Sequence, residues 1–250
     1  MKFKSVWVLG STSDIAISIC NELAKNGCKK FHLISRRKID NEVLVKNLKF
    51  YDEITINLQE LDLLEVEDKS NIEIGEYDLY LITAGYLGDN NLAIYDKKES
   101  SKILRVNFIS LVPFLQNIIS NLDFTKETSL WVFSSVAADL GKPSNYIYGA
   151  AKSALTTYCE GLALKFINSK FKVRVIKAGY IDTKMSKGKT PSFLTHSHAQ
   201  PEPNLEAAAL ENNSLNESKE PKHLLISSER SPIGEPPLLG PIIDQKSEWL

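Results

Sequence analysis

The strongest constraint in this chain of 250 residues is an alternation of two periodicities over its first three-quarters. Residues 3–9 (FKSVWVL) form a compact apolar run that stops at Gly10, as a parallel strand buried on both faces should. After it, Ile15, Ile19 and Leu23, with Ala16, Cys20 and Ala24, recur at helical spacing until Gly27, a residue suited to the turn that ends a helix. The exchange then repeats. Residues 31–35, 54–58, 79–83, 130–134 and 173–177 read as five further strands. Helical patterns cover about 100–122 and 148–167, and Pro113 is expected to kink the first of them. Strands alternating with helices require right-handed crossovers. The expected architecture is α/β, a Rossmann-like doubly wound parallel sheet flanked by helices.

The last quarter has a different character. Eight of the ten prolines lie at or beyond Pro191, and Trp249 is the only aromatic residue after Phe193. Such a stretch buries too little apolar area to offset chain entropy. The expected division is therefore a folded domain over 1–188 and an irregular tail over 189–250, in which only 223–227 (HLLIS) resembles a strand. His196 and His198 could share one face of an extended segment, but no third metal ligand accompanies them.

Bulk properties exclude several classes. A formal net charge of −1 argues against a nucleic-acid surface, which needs clustered positive charge. Cys20, Cys28 and Cys159 have neither metal-ligand nor CxxC spacing, and they read as buried thiols in a reducing cytoplasm. The lysines and short apolar run at the N-terminus break at Gly10 and Asp14 without a cleavage site. No stretch is expected to cross a bilayer as a helix.

Two segments carry chemistry. Gly10, Ser11, Thr12, Ser13, Asp14 and Ile15 lie between the first strand and first helix. There, unpaired N–H groups and the positive end of the helix favour a pyrophosphate. The second strand ends in Ser35, Arg36 and Arg37, with no acid before Asp40. Two guanidinium groups offer charge-assisted contacts to a 2′-phosphate, where a carboxylate would favour an unphosphorylated ribose. NADP(H) is the expected cofactor, ahead of NAD(H). Further on, Tyr148 and Lys152 stand one turn apart on one helix face. The cation is expected to lower the phenol pKa and make it a usable acid/base. Tyr146 has Ala150 at the same offset and no such partner. Ser134 and Ser135 end the fifth strand, where a doubly wound sheet presents ligand-binding groups.

Together these residues resemble the short-chain dehydrogenase/reductase family over roughly 4–187. The segment from Gly10 to Ala16 looks like its cofactor loop, and Thr83-Ala84-Gly85 looks like its strand-four element. Asn107, Ser135, Tyr148 and Lys152 match its catalytic tetrad, and Asp62 and Leu63 match its adenine-contacting pair. Ala178-Gly179-Tyr-Ile181-Asp-Thr183 looks like the segment that approaches nicotinamide. The resemblance implies that Tyr148 exchanges the proton with the carbonyl oxygen and Ser135 polarises that carbonyl. It further implies that Lys152 binds the nicotinamide ribose and that Asn107 supports a proton-relay water through a local helix distortion. A narrower similarity, through 84–89 and 174–185, is to the keto-reductase of the decaprenylphosphoryl-ribose 2-epimerase system. It implies a keto-sugar or lipid-linked sugar as carbonyl substrate. A 3-oxoacyl or general ketone reductase and a non-catalytic NADP(H)-binding protein remain open as alternatives. Family membership implies a possible homo-oligomer. The chain departs from the family at Asp14 and Ala178, and in its tail, where the family's later helices and seventh strand are not legible.

Overall fold

The apolar runs become strands because burial on both faces rewards side chains of either parity. In the computed structural model, which describes residues 3–65 and 74–179, they are β1 (Ser5–Leu9), β2 (Lys30–Ser35), β3 (Thr55–Glu60), β4 (Leu79–Ile82), β5 (Thr128–Ser135) and β6 (Phe171–Ala178). All pairings are parallel, in the order β3-β2-β1-β4-β5-β6. The connection therefore reverses direction between β1 and β4, the position where open α/β sheets form a ligand crevice. The six-stranded Rossmann-like sheet expected from the sequence is the fold observed.

Alternate residues of the central strands feed two cores. Val6, Val8, Leu33, Leu79 and Leu81 pack with Ala16, Ile19 and Cys20 of α1 (Asp14–Lys25) and with Leu44 and Leu48 of α2 (Glu42–Leu48). Trp7, Leu9, Ile34, Tyr80 and Ile82 belong to the other core. With them are Phe114, Leu115 and Ile118 of α5 (Val112–Ser120), and Leu155 and Cys159 of α6 (Tyr146–Lys165). The three cysteines are buried free thiols, as their spacing suggested. Gly27, at φ 92°, ends α1 as read. Its N–H reaches Ala24 O and the Cys28 N–H reaches Leu23 O, the double bond of a left-handed helix stop.

The expected long helix over 100–122 is two helices. One is α4 (Lys97–Asn107); the chain then breaks at Phe108 (φ −148°, ψ −64°) and passes through a 3-10 turn at Ile109–Leu111 into α5. Pro113 does not make the break. It sits in the first turn of α5, where its missing N–H would have had no helical acceptor. Taken together, Lys97–Ser120 has the length and apolarity of a membrane span, contrary to the expectation of no such stretch. Within it Ile103, Leu111, Phe114, Leu115 and Ile118 are fully buried in the core, while Leu104 and Ile109 are exposed. Two helices went unread: α2 with the 3-10 turn before it, and the single turn α3 (Asn90–Ala93). The 188/189 boundary, the tail, its two histidines and residues 223–227 lie outside the described residues.

Candidate functional site

Gly10 sits at the switch point because nothing larger fits. Its φ is 89°, and a Cβ there would lie 2.5 Å from the backbone nitrogen of Ala84. The ends of β1 and β4 thereby touch, bringing Ala84 and Gly85 beside the β1–α1 turn. Thr83 Oγ1 donates to Gly10 O at 2.9 Å and fastens the contact. Ser13 caps α1, its hydroxyl accepting from Ala16 N–H at 3.0 Å. Thr12, Asp14 and Ile15 are partly exposed around the same helix start.

Ser11 has a different place from the one its motif suggests. Its side chain is buried and turned inward, donating to Asn41 Oδ1 at 2.6 Å and lying 3.1 Å from Ile34 O. Asn41 Nδ2 donates in turn to Ser35 Oγ at 2.7 Å. This buried relay locks the β1–α1 turn to the end of β2. Asn41 was not found from the sequence, since an asparagine before an unread short helix carries no distinguishing signal. Beyond Ser35, the two arginines differ. Arg37 makes a bidentate ion pair with Asp40, at 3.0 and 2.8 Å. Arg36 is exposed and has no ion-pair partner among the described residues.

Asp62 is partly exposed, with Oδ1 accepting from Leu64 N–H at 2.9 Å, and Leu63 is buried beside it. Gly179 is exposed just past the end of β6. Ile181 and Thr183 lie outside the described residues.

The remaining candidates converge at the ends of β4 and β5. Asn107 is wholly buried at the last position of α4. Its Oδ1 accepts from Tyr86 N–H at 3.1 Å, and its Nδ2 donates to Tyr86 O at 2.6 Å and Ile103 O at 2.8 Å. The helix distortion implied for this residue is present immediately after it, at Phe108. Ser134 and Ser135 part company at the end of β5. Ser134 is buried against α6, 2.7 Å from Thr156 Oγ1. Ser135 caps a 3-10 turn at Val136–Ala138, accepting from Ala137 N–H at 3.1 Å, and its hydroxyl favours the ionised form of the Tyr148 phenol.

Tyr148 can approach Ser135 because the next residue is glycine. A Cβ on Gly149 would lie 2.5 Å from Ala137 O, so α6 packs directly on the turn after β5. Burial raises the Tyr148 phenol above the ordinary tyrosine value, and the nearby Ser135 hydroxyl offsets only part of that. This direction is opposite to the lowering expected from Lys152. The reason is desolvation of both groups. Lys152 is almost wholly buried and donates to Phe133 O at 2.9 Å, with Nζ 5.9 Å from the Tyr148 ring centroid. Its own pKa is pushed from 10.5 down to about 8 by burial, with the Cys159 thiol opposing. The site thus holds a neutral phenol and an easily deprotonated ammonium.

This arrangement fits one family. The family model for the short chain dehydrogenases matches residues 4–192. The chain belongs to that family. Among curated relatives it is 28% identical over 123 residues to an uncharacterized oxidoreductase of Mycobacterium tuberculosis, covering 49% of each chain. It is 25% identical over 122 residues to the 3-oxoacyl-acyl-carrier-protein reductase of Escherichia coli, covering 49% of this chain and 50% of that protein. The matched span is thus about half the length of these relatives. The fold matches a short-chain dehydrogenase from Sphingobium yanoikuyae in complex with NADPH. The TM-score is 0.69 at 17% identity, covering 85% of this chain and 84% of the other. One from Burkholderia cenocepacia in complex with NADP gives 0.59 at 19% identity, covering 75% and 76%.

Proposed function

We propose that this chain is a cytoplasmic NADP(H)-dependent oxidoreductase that interconverts a carbonyl and an alcohol. One observation carries the reading: Tyr148, whose phenol feels the Ser135 hydroxyl and which lies one helical turn from Lys152, stands at the same carboxyl end of the sheet as the β1–α1 turn. NADP or NADPH in similarly folded proteins supports the cofactor class. The residues fit that group. The open start of α1, with Gly10, Thr12, Ser13, Asp14 and Ile15, suits the pyrophosphate, and Ser35 with Arg36 suits the 2′-phosphate. Asp62 and Leu63 would flank adenine. Ala84, Gly85, Asn107, Lys152 and Gly179 would line the nicotinamide half.

A reduced nicotinamide bound there would supply the hydride that goes to the carbonyl carbon. Ser135 donates a hydrogen bond to the carbonyl oxygen and orients it. Tyr148 transfers its phenolic proton to that oxygen as charge develops, and its raised pKa keeps the proton in place until then. Lys152 would hold the ribose, and its charge stabilises the phenolate left behind. The oxidation runs through the same groups in reverse.

The substrate reading is a keto-sugar or lipid-linked sugar, supported by the sequence similarity at 84–89 and 174–185. A 3-oxoacyl group is the second reading, favoured by the relatives that reduce 3-oxoacyl carriers. The test is fluorescence titration with NADPH and NADH, followed by carbonyl turnover in wild type and Tyr148→Phe. Saturable binding preferring NADPH is expected, with the variant retaining it and losing about 10²–10⁴-fold in kcat. Failure to bind either nucleotide would remove the proposal.

A further inference from the structure

The helix that carries Tyr148 does not cap itself. Asn145 occupies the N-cap position of α6, yet its side chain makes no capping hydrogen bond, and its buried Oδ1 has no partner among the described residues. The first N–H groups of a helix have no acceptor within it. One of them, that of Ile147, donates to Asn90 Oδ1 at 3.2 Å, across 57 residues of sequence. The same buried amide donates through Nδ2 to Pro143 O at 3.1 Å. Asn90 therefore grips both the loop entering α6 and the residue immediately before Tyr148.

Asn90 is itself held from behind. Asp89 caps α3, its Oδ1 accepting from Asn91 N–H at 3.0 Å and Leu92 N–H at 3.1 Å. Glu99 of α4 accepts from Asp89 N–H at 3.0 Å and from the Tyr86 hydroxyl at 2.8 Å. Asn107 holds the backbone of Tyr86 from the same helix. Gly88, at φ 67°, makes the turn between these anchors. Ala93, Ile103, Ala137 and Tyr148 close the arrangement as one small buried cluster.

We infer that Asn90 is a positioning residue: by capping α6 from outside the helix, it sets the place and ionisation of the Tyr148 phenol. The chemical meaning of that place rests on the function proposed above; the positioning itself does not. Removing the cap frees the first turn of α6 to fray, and Tyr148 lies within that turn. A misplacement of about 1 Å at a reacting group is enough to cost on the order of a hundredfold in rate.

The experiment is NMR of the full chain with ring-labelled tyrosine, the Tyr148 signal being assigned by its loss in Tyr148→Phe. Asn90→Ala is expected to displace that signal and move its alkaline titration. Asn90→Asp keeps an acceptor facing the Ile147 N–H and is expected to return the signal toward its wild-type position. A Tyr148 signal unmoved in Asn90→Ala would overturn the inference, and so would equal displacement in both variants. If Asn90→Ala does not fold, Asn90→Asp alone decides: a Tyr148 signal far from its wild-type position there overturns it. Turnover of a carbonyl probe with NADPH, read on the same samples, separates the two claims. Asn90→Ala should lower kcat on the order of tenfold to a hundredfold at unchanged KM for NADPH. An inactive wild type with a displaced Tyr148 in Asn90→Ala would leave the positioning role standing and remove the reductase.

Discussion

At the scale of single residues, neighbours in sequence take opposite roles. Ser134 serves the packing of α6 while Ser135 faces the site, because adjacent residues of a strand point to opposite faces. Arg36 and Arg37, beyond the end of β2, also divide. Arg37 already spends its guanidinium on Asp40, whereas Arg36 has no ion-pair partner among the described residues. Arg36→Ala is therefore expected to weaken NADPH binding by about ten- to a hundredfold, the value of one hydrogen bond to a charged group. NADH binding, which lacks the 2′-phosphate, should hardly change. Arg37→Ala should cost less, since breaking an exposed ion pair is worth little. Parallel titrations of both nucleotides against both variants measure this, and equal losses for NADPH and NADH would count against a 2′-phosphate contact. The sequence showed both arginines but not which one was engaged, because the pairing depends on the 3-10 turn that brings Asp40 back onto Arg37.

At the scale of elements, α6 shows how one residue type can be required in one place and dispensable in another. Gly149 faces Ala137 O so closely that a methyl group would stand 2.5 Å from it, whereas a Cβ on Gly161 meets nothing within 4 Å. Gly149→Ala should push α6 off the turn after β5, costing about 1–3 kcal/mol and separating Tyr148 from Ser135. Gly161→Ala should stabilise by about 0.5–1 kcal/mol, through better helix propensity and a stiffer unfolded chain. Urea unfolding of the two variants measures both signs, and the same sign for both would refute the packing account. Elements legible in the sequence were those whose signal is local. Most of the strands are short apolar runs, β3 being a mixed one, and α1 has a full periodic stripe between Ser13 and Gly27. The break at Phe108 was legible only through the family resemblance at Asn107, since no glycine or proline marks it and Pro113 points to the wrong turn. α2 has the pair Leu44 and Leu48 at helical spacing, but seven residues give too short a pattern to read. Tyr148 and Lys152 could be found because their spacing is fixed within α6, and Ser135 because it ends a legible strand. Asn41 and Asn90 could not, because each acts on an element far away in sequence.

At the scale of the whole molecule, several titratable groups sit in a core that resists charge, and they pull stability in opposite directions with pH. Cys28 is pushed up to about 11 and Cys159 to about 12, both by burial, and Tyr148 is also raised. Each keeps its proton in the folded state after the unfolded chain has released it, so each withdraws stability as pH rises beyond the ordinary thiol or phenol range. Lys152 does the reverse. Its folded pKa of about 8 lies below its ordinary 10.5, so the unfolded chain binds more protons between those values, and stability rises with pH across that window. Below about pH 8 the full penalty applies, on the order of 3 kcal/mol; above 10.5 it has gone. Lys152→Met removes this titration while leaving the thiols and Tyr148 in place. The variant also leaves Phe133 O without its donor, a cost independent of pH. Wild-type stability, measured by urea unfolding relative to Lys152→Met, is therefore expected to rise by about 2 kcal/mol from pH 7 to pH 9.5. A difference that stays flat across that range would mean the buried ammonium is solvated well enough to keep its ordinary pKa. A confirmed rise would mean that the fold carries the lysine at a cost to its own stability near neutral pH, which a purely structural role for that side chain would not explain.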